Sequence, residues 1–374
     1  MSSRVFIATR KGLFTAERTD ASPSRWLITR ATFVGDPVSI VFPDPRDGYV
    51  YAALGHGHFG VKLHRSPDGG TTWEECAAPA YPAPPEGAEE IRCPNRGIVI
   101  PWSLELIWCL AAGGPDEPGR LWCGTVPGGL FRSDDRGSSW SLVRSLWDDP
   151  SRKEWFGGGL DYPGVHSVFV DPRNSKRLIV GISCGGVWVT EDGGDSWSCR
   201  TDGMWASYMP PDRKHDPFIQ DPHCVAACRA NPDVLWCQHH NGAFRSVDGA
   251  ASWQEITVEP SNFGFAVAAH PLDPETAWFV PAVSDEKRIP VDGKVVVART
   301  TDGGKTFTVL RDGLPQNHAY DLTFRHALDV NATGDQLAFG STTGSVWTSD
   351  DSGSSWGALT SNLPPVYCVR FADT

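Results

Sequence analysis

The chain has 374 residues, of which 40% are hydrophobic and 21% charged, and its formal net charge is −12. This composition is typical of a folded globular protein. The negative charge argues against binding to nucleic acid or to an anionic membrane, because both attract a basic protein surface. The first residues lack the apolar core of an export signal, and the ten cysteines form no Cys-x-x-Cys pair. We therefore expect a cytoplasmic protein with reduced thiols and with no nucleic-acid or membrane partner.

An eight-residue motif recurs along the chain. In its first copy, Ser66-Pro-Asp-Gly-Gly-Thr-Thr-Trp73, an aspartate follows a hydroxyl residue by two positions, and a hydroxyl and an aromatic residue end the motif. The six copies, called the aspartate turns below, are residues 66–73, 133–140, 190–197, 246–253, 300–307 and 349–356. Their aspartates are 67, 57, 56, 54 and 49 residues apart. One turn motif per unit at such a spacing is typical of a repeat architecture.

The unit around the third aspartate turn shows most clearly what one repeat contains. Alternating or apolar segments at 164–170, 177–182, 186–190 and 197–200 are separated by short Gly, Pro and Asp turns. Four short antiparallel strands joined by tight turns are typical of one propeller blade.

The same pattern predicts the first strand of six blades and a seventh blade that joins the chain ends. The predicted first strands are residues 38–42, 104–110, 165–170, 224–228, 263–268 and 319–324. The N-terminal segment contains three predicted strands, at 5–9, 12–16 and 26–29, but no first strand for their blade. The C-terminal segment 366–371 can supply that strand. We therefore predict an all-β, seven-bladed β-propeller of four-stranded antiparallel blades, with residues 1–374 as a single domain and no exposed sheet edge at the closure.

The repeated aspartates themselves are predicted to be structural. An aspartate in this position can accept hydrogen bonds from backbone N–H groups of its own turn. Six equivalent positions around a ring cannot all face one substrate. We therefore expect no catalytic role for Asp68, Asp135, Asp192, Asp248, Asp302 and Asp351.

The motif resembles the Asp-box, or BNR repeat, of sialidases and many other propellers, and the resemblance covers nearly the whole chain. The stretches that start at Asp161, Asp221, Gln238, Asp285 and His318 are similar to a bacterial group of BNR-repeat proteins described as glycosyl hydrolases. The resemblance implies a propeller with glycosyl hydrolase-like activity. Arg288-Ile-Pro matches a sialidase motif but lies in the sixth unit, and no arginine triad is evident, so sialidase activity is not implied.

Strand direction separates two faces of the predicted ring. The aspartate turns lie on one face, whereas the turns between second and third strands and the blade-to-blade connections lie on the other. Eight of the eleven histidines are predicted on that second face, and His64, His270 and His326 are not. Three long connections, residues 76–102, 143–164 and 201–222, also lead there, and long loops are often functional. We therefore predict the functional site at the channel mouth opposite the aspartate turns.

Three functions fit this predicted mouth. A carboxylate pair chosen from Asp161, Asp221 and Glu286 could hydrolyse a glycosidic bond of a carbohydrate or another small-molecule ligand. Alternatively, His166, His223 and His239 with a carboxylate could hold a divalent metal for a hydrolase or lyase, although no close histidine spacing assigns a metal ligand. The third is a non-catalytic propeller that binds a ligand or a protein partner. The predicted substrate-binding residues are His166, His223, His239, His240, Arg288, His318, Tyr320 and Glu105, the last in a predicted strand facing the channel.

Overall fold

The computed structural model describes residues 2–19, 25–87 and 89–372, and these contain 28 strands in seven four-stranded sheets. The N-terminal strands are β1 (Arg4–Thr9), β2 (Gly12–Arg18) and β3 (Trp26–Thr32). The next two sheets contain β4 (Val38–Pro43), β5 (Val50–Gly55), β6 (Val61–Ser66) and β7 (Glu74–Cys76), then β8 (Leu106–Ala112), β9 (Leu121–Val126), β10 (Leu130–Ser133) and β11 (Ser141–Leu142).

Four further sheets and a closing strand complete the described chain. The middle sheets contain β12 (Gly164–Asp171), β13 (Asn174–Ser183), β14 (Gly186–Thr190) and β15 (Ser198–Cys199), then β16 (Pro222–Ala227), β17 (Leu235–His239), β18 (Ala243–Ser246) and β19 (Gln254–Ile256). The last strands are β20 (Phe263–Ala269), β21 (Ala277–Ala282), β22 (Val297–Thr300), β23 (Thr308–Leu310), β24 (Leu328–Val330), β25 (Leu337–Gly340), β26 (Val346–Ser349), β27 (Gly357–Thr360) and β28 (Val366–Phe371).

Helical segments are short and lie in the connections. They are α1 (Arg144–Trp147) and the 3₁₀ turns Gly57–Phe59, Pro150–Glu154, Pro217–Ile219 and Val291–Gly293. In the described part of the chain, no helix combines the length and the hydropathy needed to span a bilayer.

The sheets form the predicted seven-bladed β-propeller. Each inner strand, from β4 through β8, β12, β16, β20 and β24 to β28, contacts the next, and β28 contacts β4. The order β28-β1-β2-β3 confirms that the chain ends share one blade. Val5 lies opposite Phe371 and Ile7 opposite Val369, and these four side chains are buried. Pairing with β28 covers the inner edge of β1 and makes β28 the innermost strand of this blade.

The middle strands are apolar on both faces because each sheet packs between two others. All residues of β21 are buried, and the same holds for β9. Trp122, Trp236 and Trp278 are almost fully buried between sheets. All ten cysteines are free thiols and eight of them are buried, as expected for reduced core residues.

The aspartate turns join the third and fourth strands of six blades and are held by internal hydrogen bonds. In the first, Thr72 N–H and Ser66 Oγ donate to Asp68 Oδ1 at 2.8 and 2.7 Å, and Gly70 N–H donates to Ser66 Oγ at 2.8 Å. The last turn repeats these contacts around Asp351. The predicted hydrogen bonds within the turn are confirmed. The corresponding turn of the N-terminal blade includes residues 20–24, which lie outside the described residues.

Two predicted inner strands differ from the structure. The segment 319–324 is not a strand, and β24 begins later, at Leu328, because Leu322 and Phe324 instead pack as coil against Phe263 and Phe265. The second strand is shifted to Leu106–Ala112, so Glu105 precedes β8. Its side chain is exposed and accepts a hydrogen bond from Ser103 Oγ at 2.9 Å, so the prediction of a channel-facing strand carboxylate is wrong.

Candidate functional site

A cavity of about 1070 Å³ lies at the mouth of the central channel and is called the channel-mouth cavity below. Its walls come from second-to-third turns, such as those carrying Gly55, Cys184 and His240, and from blade-to-blade connections, such as those carrying Gly158 and Arg325. Among the described residues that line it, none belongs to an aspartate turn. The cavity therefore lies on the face where the strand directions predicted it.

A repeated backbone irregularity turns particular side chains toward this channel. The pairing register of four inner strands skips one residue near the strand start, at Ser39, Trp108, His166 and His223. The register of β20 skips Phe265 together with its neighbour. Such bulges re-aim side chains that regular pleating would place elsewhere. Ser39, Trp108, His223 and Phe265 all line the channel-mouth cavity.

Asp221, His223 and His240 form a compact group, called the Asp–His cluster below. One potential ligand atom from each residue lies within 4.8 Å of the others. Asp221 Oδ2 is 3.5 Å from His223 Nε2 and 3.6 Å from His240 Nδ1. Asp221 immediately precedes the bulged strand β16, and His223 is the second residue of that strand. His240 immediately follows β17. His240 N–H donates to the Asp221 carbonyl oxygen at 3.0 Å, which ties the two segments together.

Hydrogen bonds to neighbouring protein groups hold Asp221 and His223 in place. Asp221 Oδ1 accepts hydrogen bonds from Ser183 Oγ and from Cys184 N–H, both at 3.0 Å. His223 Nδ1 lies 2.7 Å from the Gly264 carbonyl oxygen, a contact that requires a proton on Nδ1. These contacts leave Asp221 Oδ2 and His223 Nε2 facing each other beside the cavity.

The electrostatics of the cluster favour a charged carboxylate. Burial opposes ionisation of Asp221, but His223, Arg325 and His240 outweigh it and hold the pKa of Asp221 well below its usual range. Burial lowers the pKa of His223, and Asp221 only partly offsets that effect. The group therefore presents an ionised carboxylate beside the His223 imidazole, whose protonation burial resists.

Arg325 supplies a fixed positive charge to the same cavity. Its guanidinium carbon lies 4.7 Å from the Trp108 ring centre and 5.4 Å from that of Phe265. Burial lowers its pKa, although a guanidinium stays protonated at neutral pH. Within the described chain Arg325 makes no ion pair, and its Nε is buried without a hydrogen-bond partner. Because Arg325 lines the cavity, its terminal NH₂ groups are available to a ligand.

Apolar rings form much of the remaining wall. Trp108, Phe265, Phe324, Tyr208 and Tyr367 all line the cavity. His223 stacks on Phe265 with ring centres 4.5 Å apart, which fixes the plane of the imidazole. Flat apolar faces interleaved with polar groups suit a ligand that has both kinds of surface.

Charged residues at the rim form local pairs. Glu286 lines the cavity, and hydrogen bonds from its own backbone amide and from Ser284 lower its pKa. Arg288 also lines it, and its Nε donates to Asp285 Oδ1 at 3.0 Å. Asp161 is exposed and pairs with the lining residue Arg96 at 3.2 Å.

The other predicted residues lie away from the cavity surface. His166 is buried, with Nδ1 2.9 Å from Ser167 Oγ. His239 is buried behind Asp221 and accepts the Asp221 N–H at Nε2, at 3.0 Å. His318 and Tyr320 are exposed and are not among the lining residues. Of the predicted metal-binding histidines, only His223 belongs to the Asp–His cluster.

The lining residues that sequence reasoning missed include two basic side chains. Arg325 was not singled out, and His326, expected away from the mouth, lines the cavity and donates from Nε2 to the His166 carbonyl oxygen at 2.8 Å. The expectation for His326 is wrong because the sixth inner strand starts after it rather than before it. Their one sequence signal is the run Phe324-Arg-His326, which places two polar residues just before an inner strand.

Comparison with curated proteins finds two partial relatives, whereas no family model matches the chain. A probable oligoxyloglucan-reducing end-specific xyloglucanase of Neosartorya fischeri is 33% identical over 223 residues, or 52% of this chain and 26% of that protein. An oligoxyloglucan-reducing end-specific xyloglucanase of Emericella nidulans is 33% identical over 84 residues, or 22% of this chain and 9% of that protein. The chain thus spans at most 26% of the length of these two relatives.

Solved structures share the fold at low sequence identity. A GH74 xyloglucanase from Xanthomonas campestris has a TM-score of 0.61 and 18% identity, over 100% of this chain and 53% of that chain. YCF48 from Cyanidioschyzon merolae has a TM-score of 0.53 and 15% identity, over 88% and 87%. YCF48 bound to a D1 peptide has a TM-score of 0.51 and 13% identity, over 86% and 80%. These likenesses support the propeller fold, and membership of the BNR family stays a prediction.

Proposed function

We propose that the channel-mouth cavity is the active site of a glycosyl hydrolase-like enzyme whose carbohydrate substrate carries an acidic group. The observation that carries this proposal is the Asp–His cluster, which faces the same cavity as the unpaired guanidinium of Arg325. The similarity to xyloglucanases supports a carbohydrate as the substrate, because the curated relatives are enzymes of that class.

The shape and lining of the cavity suit part of an oligosaccharide. Its volume of about 1070 Å³ is at the upper end of ordinary ligand pockets, which are roughly 300–1,000 Å³. Trp108 and Tyr367 offer flat faces for the apolar side of a sugar ring, while Ser39 and Glu286 offer hydrogen-bonding groups for its hydroxyls.

Arg325 favours an acidic substrate over a neutral one. A guanidinium binds a carboxylate through two parallel hydrogen bonds, and the interaction strengthens where water is excluded. Trp108 and Phe265 hold this guanidinium in place, so little side-chain entropy is lost when an anion binds. A uronate, with its carboxylate on the sugar ring, has the required chemistry.

We do not assign to Asp221 and Glu286 the roles of the two catalytic carboxyl groups of a glycosidase. That mechanism needs one carboxyl group to keep its proton and donate it to the leaving oxygen. The lowered pKa values of Asp221 and Glu286 leave both ionised at neutral pH. We therefore assign the reactive role to the Asp–His cluster as a unit, with His240, whose side chain is 25% exposed, nearest the substrate.

An activity screen tests this function. Wild-type protein is incubated with matched neutral and uronate-containing oligosaccharides, and new reducing ends and unsaturated sugars are measured to detect hydrolysis and elimination. We expect turnover of a uronate-containing substrate and a loss of about 10²–10⁴-fold in His240→Ala and Asp221→Asn. His58→Ala, which changes an exposed histidine that does not line the cavity, serves as the control and should keep full activity. Equal turnover by His240→Ala and the control contradicts the assignment.

A non-catalytic peptide-binding propeller is the second candidate. It is favoured by the structural likeness to YCF48, which covers most of both chains and includes a form with bound peptide. Saturable binding of a peptide that competes with uronate ligands, together with no turnover of any sugar, would favour this alternative.

A further inference from the structure

We propose that Asp221, His223 and His240 bind a divalent transition-metal ion of the zinc type at the channel mouth. Two imidazoles and one carboxylate are a common donor set for such ions. The three donor atoms lie within 4.8 Å of one another, although His240 comes from a different loop. Binding of the ion does not depend on the function proposed above, whereas its role in catalysis rests on that function.

The separations match a coordination sphere better than direct hydrogen bonds. Ligands bonded at about 2.1 Å in a tetrahedral site are about 3.4 Å apart along each edge. Asp221 Oδ2 lies 3.5 and 3.6 Å from the two imidazole nitrogens. A charged N–H···O hydrogen bond is shorter, at about 2.7–2.9 Å. An ion between these atoms would meet them with little movement.

Supporting contacts orient two of the three donors, those of His223 and Asp221, toward each other. The Nδ1–H···O contact to Gly264 leaves the Nε2 lone pair of His223 directed at Asp221. Ser183 and Cys184 occupy Oδ1 of Asp221 and leave Oδ2 free. Metal-binding histidines commonly donate their other ring N–H to a backbone carbonyl, and ligating carboxylates are themselves hydrogen-bonded. Without a cation, the lone pairs of His223 Nε2 and Asp221 Oδ2 would face each other.

Three protein donors leave room for a further ligand from the cavity. Structural zinc sites use four protein ligands, whereas catalytic sites keep one position for water or substrate. All three donors belong to residues that line the channel-mouth cavity, so that position opens toward the substrate. An ion there would polarise a substrate oxygen or lower the pKa of a bound water. Arg325 would bind an acidic group on the same ligand.

Metal titration of the intact protein tests the site without any substrate. Protein stripped with a chelator is titrated with Zn²⁺, Co²⁺, Mn²⁺ and Fe²⁺ under anaerobic conditions, and heat, Tm and the Co²⁺ absorption spectrum are recorded. We expect one ion per chain, a rise in Tm on binding, and a Co²⁺ spectrum typical of mixed nitrogen and oxygen ligands. The order of affinities identifies which ion the site prefers.

Variants connect the binding to the three residues. His240→Ala alters the most exposed donor, so it is the variant expected to remain folded, and Asp221→Asn retains the side-chain shape. Each should weaken binding by at least about 10–100-fold, whereas His58→Ala should bind as wild type does. The proposal is overturned if stripped wild type binds none of the four ions more tightly than His240→Ala does.

The experiments distinguish failure of the proposed metal site from failure of the proposed enzymatic function. Stoichiometric metal binding without turnover of any sugar would support the metal site and contradict the proposed enzymatic function. Full turnover by stripped protein in the presence of chelator would support the enzymatic function and show that the ion has no role in catalysis.

Discussion

Aspartate carboxylates serve two different ends in this protein. Asp68 is exposed, and Thr72 N–H, Ser66 and Thr72 side chains lower its pKa to about 2. Asp221 is buried, and neighbouring imidazoles and Arg325 lower its pKa against the cost of burial. The first arrangement stabilises a turn through hydrogen bonds within the turn. The second keeps a charge beside a cavity, which is expensive unless cations are near.

The lowered pKa of Asp68 predicts a loss of stability in acid. An unfolded aspartate has a pKa of about 3.9, so this carboxylate stabilises the folded state above that pH. The contribution is lost as the pH falls from about 4 to about 2, because the folded state then takes up its proton. NMR titration of the Asp68 carboxyl carbon should give a midpoint near 2. A midpoint near 4 would contradict the hydrogen bonds assigned to this turn.

The serine that begins an aspartate turn should matter for stability and not for function. Ser349 is buried, and its Oγ accepts the Gly353 N–H at 2.9 Å. Ser349→Ala leaves that N–H without its partner and should lower the free energy of unfolding by about 1–3 kcal/mol. Urea unfolding measures this effect, with the exposed Ser361→Ala as control. A change in metal or uronate binding at unchanged stability would contradict the separation of the two faces.

Single residues of the site were predictable, but their mutual arrangement was not. Asp221, His223 and His240 were all proposed from their place in predicted loops and strand starts. Their clustering depends on the contact between His240 N–H and the Asp221 carbonyl, which no spacing in the sequence reveals. Arg325 was missed because the predicted sixth inner strand ended at Phe324.

At the scale of strands, the inner-strand bulge is the element that builds the site. It places Trp108, His223 and Phe265 on the channel in three different blades. Alternation of apolar residues predicted the presence of most inner strands, because their outer parts pair regularly. It could not predict the bulge, which breaks the two-residue period that such reasoning assumes. The error in the sixth blade has a similar origin, since Leu322 and Phe324 alternate but pack as coil.

The shared blade predicts that β28 is required for folding. Val366 and Val369 of β28 pack with Val5 and Ile7 of β1 in one apolar cluster. Deleting residues 366–374 removes that core and exposes the edge of β1 to other chains. We expect loss of a cooperative thermal transition and aggregation in size-exclusion chromatography. A synthetic peptide of residues 364–372 should restore the transition, and normal folding of the truncated chain without it would contradict this view of the closure.

At the scale of the whole molecule, the ring separates support from chemistry. The aspartate turns lie on one face and are stabilised by hydrogen bonds within each turn. The long connections and second-to-third turns bring the Asp–His cluster, Arg325 and aromatic walls together on the other. Repetition predicted the blade number and this division, because strand direction alternates in a fixed way. The repeats say nothing of the substrate, because the side chains that line the mouth differ from blade to blade.

Binding of an acidic sugar at the channel mouth can be tested with a crystal structure of the protein grown with glucuronate or galacturonate. We expect the sugar carboxylate to pair with Arg325, while the ring lies between Trp108 and the Asp–His cluster. Crystals of Arg325→Met, treated identically, should lack the sugar. Binding of the sugar at the aspartate-turn face, or equal occupancy of the mouth in Arg325→Met, would contradict the claim.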